Sequence, residues 1–166
     1  MNQSQNEFRQ ALLDVLPRLR KYCYALTNDL HNSEDLLQAT VQRALEKWQQ
    51  YQTDTHFDRW MYRLCRNLWI DTMRKDKPSE ELDPENETDH TVLEDTLVNE
   101  NLVARVKEKM GELSEGLRIV LYLVAVEGRS YQETAEFLDI PQGTVMSRLA
   151  RARQQLSDHT FKQGNA

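Results

Sequence analysis

Two groups of basic side chains hold most of the chemistry open to this sequence. One is Arg148, Arg151 and Arg153, set among Gly143, Thr144, Met146, Ser147, Ala150 and Gln154. The other is Arg59, Arg63, Arg66 and Arg74 with Asn67, interleaved with Trp60, Tyr62 and Trp69. A guanidinium group grips phosphate or reads guanine bidentately, and small neighbours let a backbone come close. Cations interspersed with rings suit single-stranded or opened DNA, because rings stack on unpaired bases. The bland alternatives are a helical hairpin with a solvated basic face, and tryptophans that belong to a core. Covalent chemistry has no candidate. His31, His56, His90 and His159 are scattered, and no Ser/His/Asp order, metal-ligand spacing or Gly-rich phosphate loop is present, so no catalytic residue, cofactor or metal is expected. Cys23 and Cys65 lie in separate amphipathic segments without a C-x-x-C pair and read as buried, reduced thiols.

The first group needs a rigid hairpin beneath it. Ser130 with Glu133 three residues on forms a capping box, so a helix starts near Tyr131. Asp139-Ile140-Pro141 ends it, because Pro lacks a backbone donor and disfavours helical geometry at the residue before it. In the helix that follows, Val145, Leu149, Ala152 and Leu156 fall on one narrow stripe at about 100° per residue. That stripe is expected to pack on Ala135 and Leu138. Small, polar and cationic residues then face outward, as on a recognition helix in the major groove.

The second group needs a helical scaffold too. Phe8, Leu12, Val15, Leu19, Tyr22 and Leu26 give an apolar face over residues 7–30, with Pro17 either kinking or splitting the segment. Ser33 is the expected N-cap of the next helix, followed by Glu34 and Asp35 at its positive end. Leu37, Val41, Ala44 and Trp48 are its expected buried stripe, opposite Asp35, Gln38, Ala39 and Gln42. Residues 49–56 are polar and break the period. Phe57, Met61, Leu64 and Leu68 then mark the inner side of the helix that carries the arginines and aromatics.

Composition sets the frame. With 5 Gly, 4 Pro and almost no alternating β-branched runs, the 166 residues read as all-α. No apolar run approaches the ~18 residues of a membrane span, and MNQSQNEFRQ lacks a signal-peptide pattern, so a cytoplasmic location is expected. The net charge of −6 is unevenly spread. Residues 1–77 hold 12 Lys and Arg against 10 Asp and Glu, residues 78–104 hold none against 9, and residues 105–166 hold 9 against 8. The acidity thus belongs to the middle, and both flanks can present basic faces. Pro78 to about Val92 (PSEELDPENETDHTV) is expected to be a flexible acidic linker. Helical pattern resumes around Leu93, Leu97, Asn101 and Ala104 and pauses at Gly111. Leu117, Val120, Leu121 and Val124 mark a further helix that Gly128 ends. The expected organisation is two small helical domains, 1–77 and 93–166, joined by the linker 78–92.

Three stretches in order, SEDLLQATVQRALEKW at 33–48, FDRWMYRLCRNLWIDTMRK at 57–75 and YQETAEFLDIPQGTVMSRLARARQQL at 131–156, resemble a bacterial sigma factor of the extracytoplasmic-function (ECF) group within the sigma-70 superfamily. The resemblance runs from about Leu12 to Leu156. It implies domains corresponding to sigma regions 2 and 4 and a protein without catalysis of its own, which brings core RNA polymerase to promoters. It also implies core-polymerase contacts at Asp35, Gln38, Ala39 and Gln42 on the β′ coiled coil, with the β flap as a second contact. The minus-ten element would be opened and held by the loop 49–56 and by Arg59, Trp60, Arg63, Arg66, Asn67 and Arg74. The minus-thirty-five element would be read by the helix-turn-helix from Tyr131 to Ala150, through Thr144, Ser147, Arg148 and Arg151. An anti-sigma factor is an implied partner, able to hold the protein at the inner membrane without inserting it. By the same resemblance the acidic linker lies near the RNA exit channel.

Three positions depart from the family pattern. Ala39 stands where Glu is usual, Met146 where Lys or Arg is common, and Gly116 where a charge is usual. The first and second are the only support for a competing reading, a sigma-like decoy that sequesters an anti-sigma factor. A repressor with an N-terminal effector domain is a third reading, against which the basic aromatic helix 57–74 argues.

Overall fold

A computed structural model describes residues 3–51, 56–76 and 102–164, with backbone alone for residues 76, 102, 103 and 158–164. The linker assigned to 78–92 and the helical pattern at Leu93, Leu97 and Asn101 lie outside the described residues, as does half of the expected loop, 52–55. The chain divides into two compact units, Met1–Glu80 and Glu81–Ala166, and every regular element described is helical. It is an all-α, two-domain protein. No described helix is long and apolar enough to cross a membrane.

In the first unit α1 spans Gln3–Thr27 and buries all six residues of the expected apolar face, together with Cys23 and Ala25. Pro17 does not split it. The carbonyl that would have received its missing N–H is that of Leu13, a residue on the exposed side of the helix, where loss of one hydrogen bond is tolerated best. Asn28, left-handed at φ 51°, ends α1, and its N–H donates to the Tyr24 carbonyl at 2.8 Å.

The next helix, α2, spans Leu30–Glu46 and starts earlier than expected. Its N-cap is Asp29, whose carboxylate accepts from the Asn32 N–H at 2.8 Å, and not Ser33. Ser33 lies one turn inside, buried, its hydroxyl donating to the Leu30 carbonyl at 2.8 Å. The correction has a physical reason: Asn28 and Asp29 together make a two-residue corner in which one helix ends and the next is capped. The buried stripe of α2 is Ser33, Leu36, Leu37, Thr40 and Ala44, so Leu37 and Ala44 are inside as expected while Val41 is only half-buried. Thr40 can sit in the core because its hydroxyl donates to the Leu36 carbonyl at 2.7 Å. Trp48 lies off the helix, in a 3₁₀ turn Trp48–Gln50.

Helix α3 spans Phe57–Asp76. Its buried residues are Met61, Tyr62 and Cys65, whereas the expected Leu64 and Leu68 are half-buried. The buried side is thus rotated toward Tyr62, which stacks on Tyr22 with ring centroids 4.2 Å apart and planes 19° off parallel. Two large rings enclosed between α1 and α3 bury more area than two leucines, and that decides the rotation.

The Tyr22 hydroxyl is wholly buried without a hydrogen-bond partner. Removing an unpaired buried hydroxyl relieves its desolvation, so Tyr22→Phe is expected to leave stability unchanged or raise it by about 1 kcal/mol. Burial first, and then the Cys65 side chain, pushes the Tyr22 hydroxyl well above the ordinary tyrosine value of 10.0. The unfolded chain therefore ionises first, and the stability tied to Tyr22 is present below pH ~10 and lost above it. Tyr22→Phe should lessen that alkaline loss; urea melts of both proteins at neutral pH and above pH 10 check the sign.

In the second unit α4 spans Leu102–Glu112, running one residue past Gly111. Helix α5, Glu115–Leu121, continues into a π-helical turn, Tyr122–Val126. Gly128, left-handed at φ 70°, closes it, which lets the Arg129 N–H reach back to the Leu123 carbonyl at 3.0 Å. Helix α6, Tyr131–Leu138, opens on the expected capping box: the Glu133 N–H donates to Ser130 Oγ at 3.0 Å and the Ser130 N–H to Glu133 Oε1 at 3.4 Å. It ends at Asp139, left-handed at φ 55°, with Ile140 N–H bonded to the Ala135 carbonyl at 3.1 Å. Pro141 then begins α7, Gln142–Gly164, its carbonyl accepting from Thr144 and Val145 at 3.0 and 3.3 Å.

Candidate nucleic-acid interface

Helix α7 separates its two sides cleanly. Val145, Leu149 and Ala152 are buried, as is Leu138 of α6, while Leu156 and Ala135 are half-buried at the edges. Gly143, Ser147, Ala150, Arg151 and Arg153 are exposed on the other side, and Thr144 is half-buried. The Ser147 hydroxyl donates to the Thr144 carbonyl at 3.1 Å, which holds its side chain along the helix and keeps the surface low. Nothing lies within 4 Å of a Cβ built on Gly143. Arg148 sits on the shoulder, half-buried, with Nε enclosed and without a hydrogen-bond partner. Met146 is 52% exposed, an apolar side chain on a surface otherwise polar. Gly116 lies buried in the first turn of α5 and offers no side chain to phosphate.

The first helix of this hairpin is tied to the turn before it by a cluster that the linear pattern did not announce. Arg129 Nε donates to Glu127 Oε2 at 2.7 Å, with the two side chains only 10% and 8% exposed. The same guanidinium approaches Glu133 at 3.6 Å and lies over the Phe137 ring, 4.1 Å from its centroid. One cation thus joins the end of the π-helical turn to the start and the inner side of α6. A cation over a ring and a buried ion pair are each stronger for being partly withdrawn from water. The signal available in the sequence was Glu127-x-Arg129 followed by Glu133 at i+4, but only the left-handed Gly128 brings the first two together.

In the first unit Asn67 and Arg74 of α3 are exposed and Arg59, Arg63 and Arg66 are half-buried. The Asp58 carboxylate accepts from the Arg59 backbone N–H at 2.8 Å. Trp60 and Trp69 are half-buried, and Tyr62, which the alternation of rings and arginines placed on the basic side, belongs to the core. Trp60 is one wall of an aromatic group at the start of α3, with centroid distances of 5.5 Å to Tyr51, 5.9 Å to Phe57 and 6.0 Å to Phe8. Tyr51 and Phe57 of this group stand on either side of residues 52–55 in the sequence. On α2, Asp35, Gln38, Ala39 and Gln42 are all exposed along one side, and His31 Nε2 lies 3.3 Å from Asp35 Oδ2. Among the described residues no group of three or more His, Cys, Asp or Glu is placed to hold a metal ion.

A helical unit with a basic, aromatic helix is thus followed in the chain by a unit with a capped helix-turn-helix, and both match families of the sigma-70 class. The sigma-70 region 2 family matches residues 12–78 and the sigma-70 region 4 family matches residues 104–156. Over 151 residues the chain is 30% identical to the ECF RNA polymerase sigma factor SigW of Bacillus subtilis, covering 84% of this chain and 81% of that protein. It is 32% identical over 159 residues to the ECF RNA polymerase sigma factor SigE of Mycolicibacterium smegmatis, where it spans 87% of this chain and 58% of the relative. Among solved structures it is similar to the sigma factor RpoE in a complex with the anti-sigma factor NepR from Bartonella quintana, with a TM-score of 0.69, 28% identity and coverage of 92% and 95% of the two chains. The chain belongs to the ECF RNA polymerase sigma factors. It is a factor for transcription initiation, of a class that regulates transcription and is not an enzyme class.

Proposed function

We propose that this sigma factor carries core RNA polymerase to promoters through two separate contacts with DNA. The second unit reads the minus-thirty-five element with α7, using Thr144, Ser147, Arg148 and Arg151. The observation that carries this reading is the outward side of α7, where Ser147 and Arg151 are exposed directly opposite the buried Val145, Leu149 and Ala152. A helix so seated can enter a major groove with its cations foremost. The first unit opens and holds the minus-ten element with Arg59, Trp60, Arg63, Arg66, Asn67 and Arg74, and its aromatic group of Phe8, Tyr51, Phe57 and Trp60 is suited to receive an unstacked base. The exposed Asp35, Gln38, Ala39 and Gln42 of α2 meet the polymerase β′ coiled coil, and the second unit meets the β flap. Domains 1–77 and 93–166 act as separate readers tethered by 78–92. By likeness to RpoE, whose complex contains the anti-sigma factor NepR, an anti-sigma factor withholds this protein from polymerase, acting in the cytoplasm or at the inner membrane.

Run-off transcription with purified core polymerase, genomic promoter fragments and this protein as the sole specificity factor tests the reading. Discrete transcripts that need the protein support it, and their start points give both elements. Core binding without any transcript would favour the decoy instead, and no binding to core would end the sigma reading and favour DNA-binding regulation independent of polymerase. On a promoter so mapped, Arg151→Ala is expected to lower transcription about 5- to 100-fold, the range for one bidentate base contact. The loss should shrink on a template whose minus-thirty-five element is scrambled, and equal losses on both templates would remove Arg151 from base reading.

A further inference from the structure

The core of the first unit holds a pair of thiols. Cys23 of α1 and Cys65 of α3 are both 0% exposed, and their sulfurs are 3.4 Å apart, a contact in which either can donate. They are 42 positions apart in sequence. Both sulfurs are free. Three neighbouring features make the pair more than two cysteines that share a core. The Tyr22 hydroxyl beside them is buried and unpartnered, so this patch of core keeps an unused polar group to which a small polar oxidant can hydrogen-bond. Cys23 lies in the last turns of α1, four residues before its end at Thr27, next to the corner where the chain turns into the following helix. The Tyr22–Tyr62 stack also joins α1 to α3, so the two helices are already held together where the thiols meet.

We propose that Cys23 and Cys65 are a redox modification site that hydroperoxides convert to an intramolecular disulfide stapling α1 to α3. One sulfur, as thiolate, attacks the outer oxygen of the hydroperoxide. The O–O bond breaks, an alcohol or water leaves, and the sulfur becomes a sulfenic acid. The second thiol attacks that sulfur, the S–O bond breaks, water leaves with the released protons, and the S–S bond forms. Two thiols are oxidised and one hydroperoxide is reduced. Closing a contact of 3.4 Å to a bond of about 2.05 Å asks for a movement of ~1.4 Å, shared between two helices. The hydrogen bond to Cys65 and burial push the Cys23 thiol well up, so the closed core keeps it protonated and the reaction proceeds through transient openings of the core.

The test uses the full-length chain and hydrogen peroxide, and neither readout depends on transcription. After incubation, intact mass should fall by the two hydrogens of one disulfide, and non-reducing digestion should yield a Cys23–Cys65 linked peptide that dithiothreitol releases. Cys23→Ala and Cys65→Ala should each lose that mass change. If either variant fails to fold, the peptide map of the unmodified chain decides alone. The stapled chain should also unfold later when followed by tryptophan fluorescence, because Trp48, Trp60 and Trp69 all lie in the first unit. A rise of about 5 °C or more is expected for a cross-link closing so long a loop. Oxygen added to separate cysteines, disulfides only between chains, or a stapled chain that melts lower would each overturn the proposal.

Discussion

Arg129→Ala is expected to cost the second unit about 3–5 kcal/mol, the range for breaking one side of a buried ion pair. The loss exceeds that of a surface bridge because Glu127, 8% exposed, would keep its carboxylate without the guanidinium 2.7 Å away. The contact over Phe137 would go as well. Arg129→Lys should recover only part, since an ammonium cannot span Glu127, Glu133 and the ring from one planar group. Circular dichroism during urea unfolding should show an early transition in the variant, while tryptophan fluorescence, which reports the first unit, should hardly move. A variant that unfolds like the parent by both measures would show that the cluster does not hold the hairpin. Because α6 and α7 present the proposed DNA-reading surface, the same variant should lose minus-thirty-five dependence in transcription at temperatures where its first unit stays folded.

Tyr62→Ala carries the largest expected effect in the first unit. Truncating a wholly buried aromatic costs about 3–5 kcal/mol, and here the stack on Tyr22 at 4.2 Å goes with it. A domain of this size has a total stability of ~5–15 kcal/mol, so the variant should lie close to its unfolding threshold at 37 °C. Tyr62→Phe keeps the ring and should cost about 1 kcal/mol or less. Tryptophan fluorescence in urea measures both. If Tyr62→Ala lost less than ~1 kcal/mol, the ring could not be the centre of the α1–α3 packing. The two variants also separate a role in the core from one in stacking on DNA bases, because a base-stacking residue could be truncated with little change in stability.

Much of this is legible in the residues. The face Phe8 to Leu26 is legible because its four-three spacing is the repeat of a helix buried along one side only. The capping box at Ser130 and Glu133 is legible because both partners lie within one turn and need no distant group. The two sides of α7 are legible for the same reason as the face of α1. Ser33 misleads because Ser followed by two acidic residues is a good cap in isolation, whereas Asp29 wins once Asn28 turns the chain into the corner between α1 and α2. Tyr62 misleads because alternating rings and arginines fit a stacking surface as well as a helix with one aromatic edge turned inward. Periodicity is blind to which edge, since a rotation of a few tens of degrees about α3 exchanges Leu64 for Tyr62.

By itself the sequence determined what depends on neighbours along the chain: an all-α protein, its apolar faces, its caps and breaks, the acidic middle between two mildly basic ends, and the order of motifs that resembles an ECF sigma factor. Tertiary structure alone decided what depends on residues far apart. It brought Cys23 to 3.4 Å from Cys65 and Tyr22 onto Tyr62, and it seated Trp60 among Phe8, Tyr51 and Phe57. At shorter range, the left-handed Gly128 turned Arg129 back onto Glu127 and Phe137. The physical reason is the same throughout: helix caps and helical spacing are set by bonds spanning a few residues, whereas the rotation of one helix against another is set by which rings and charges the packed interior can enclose.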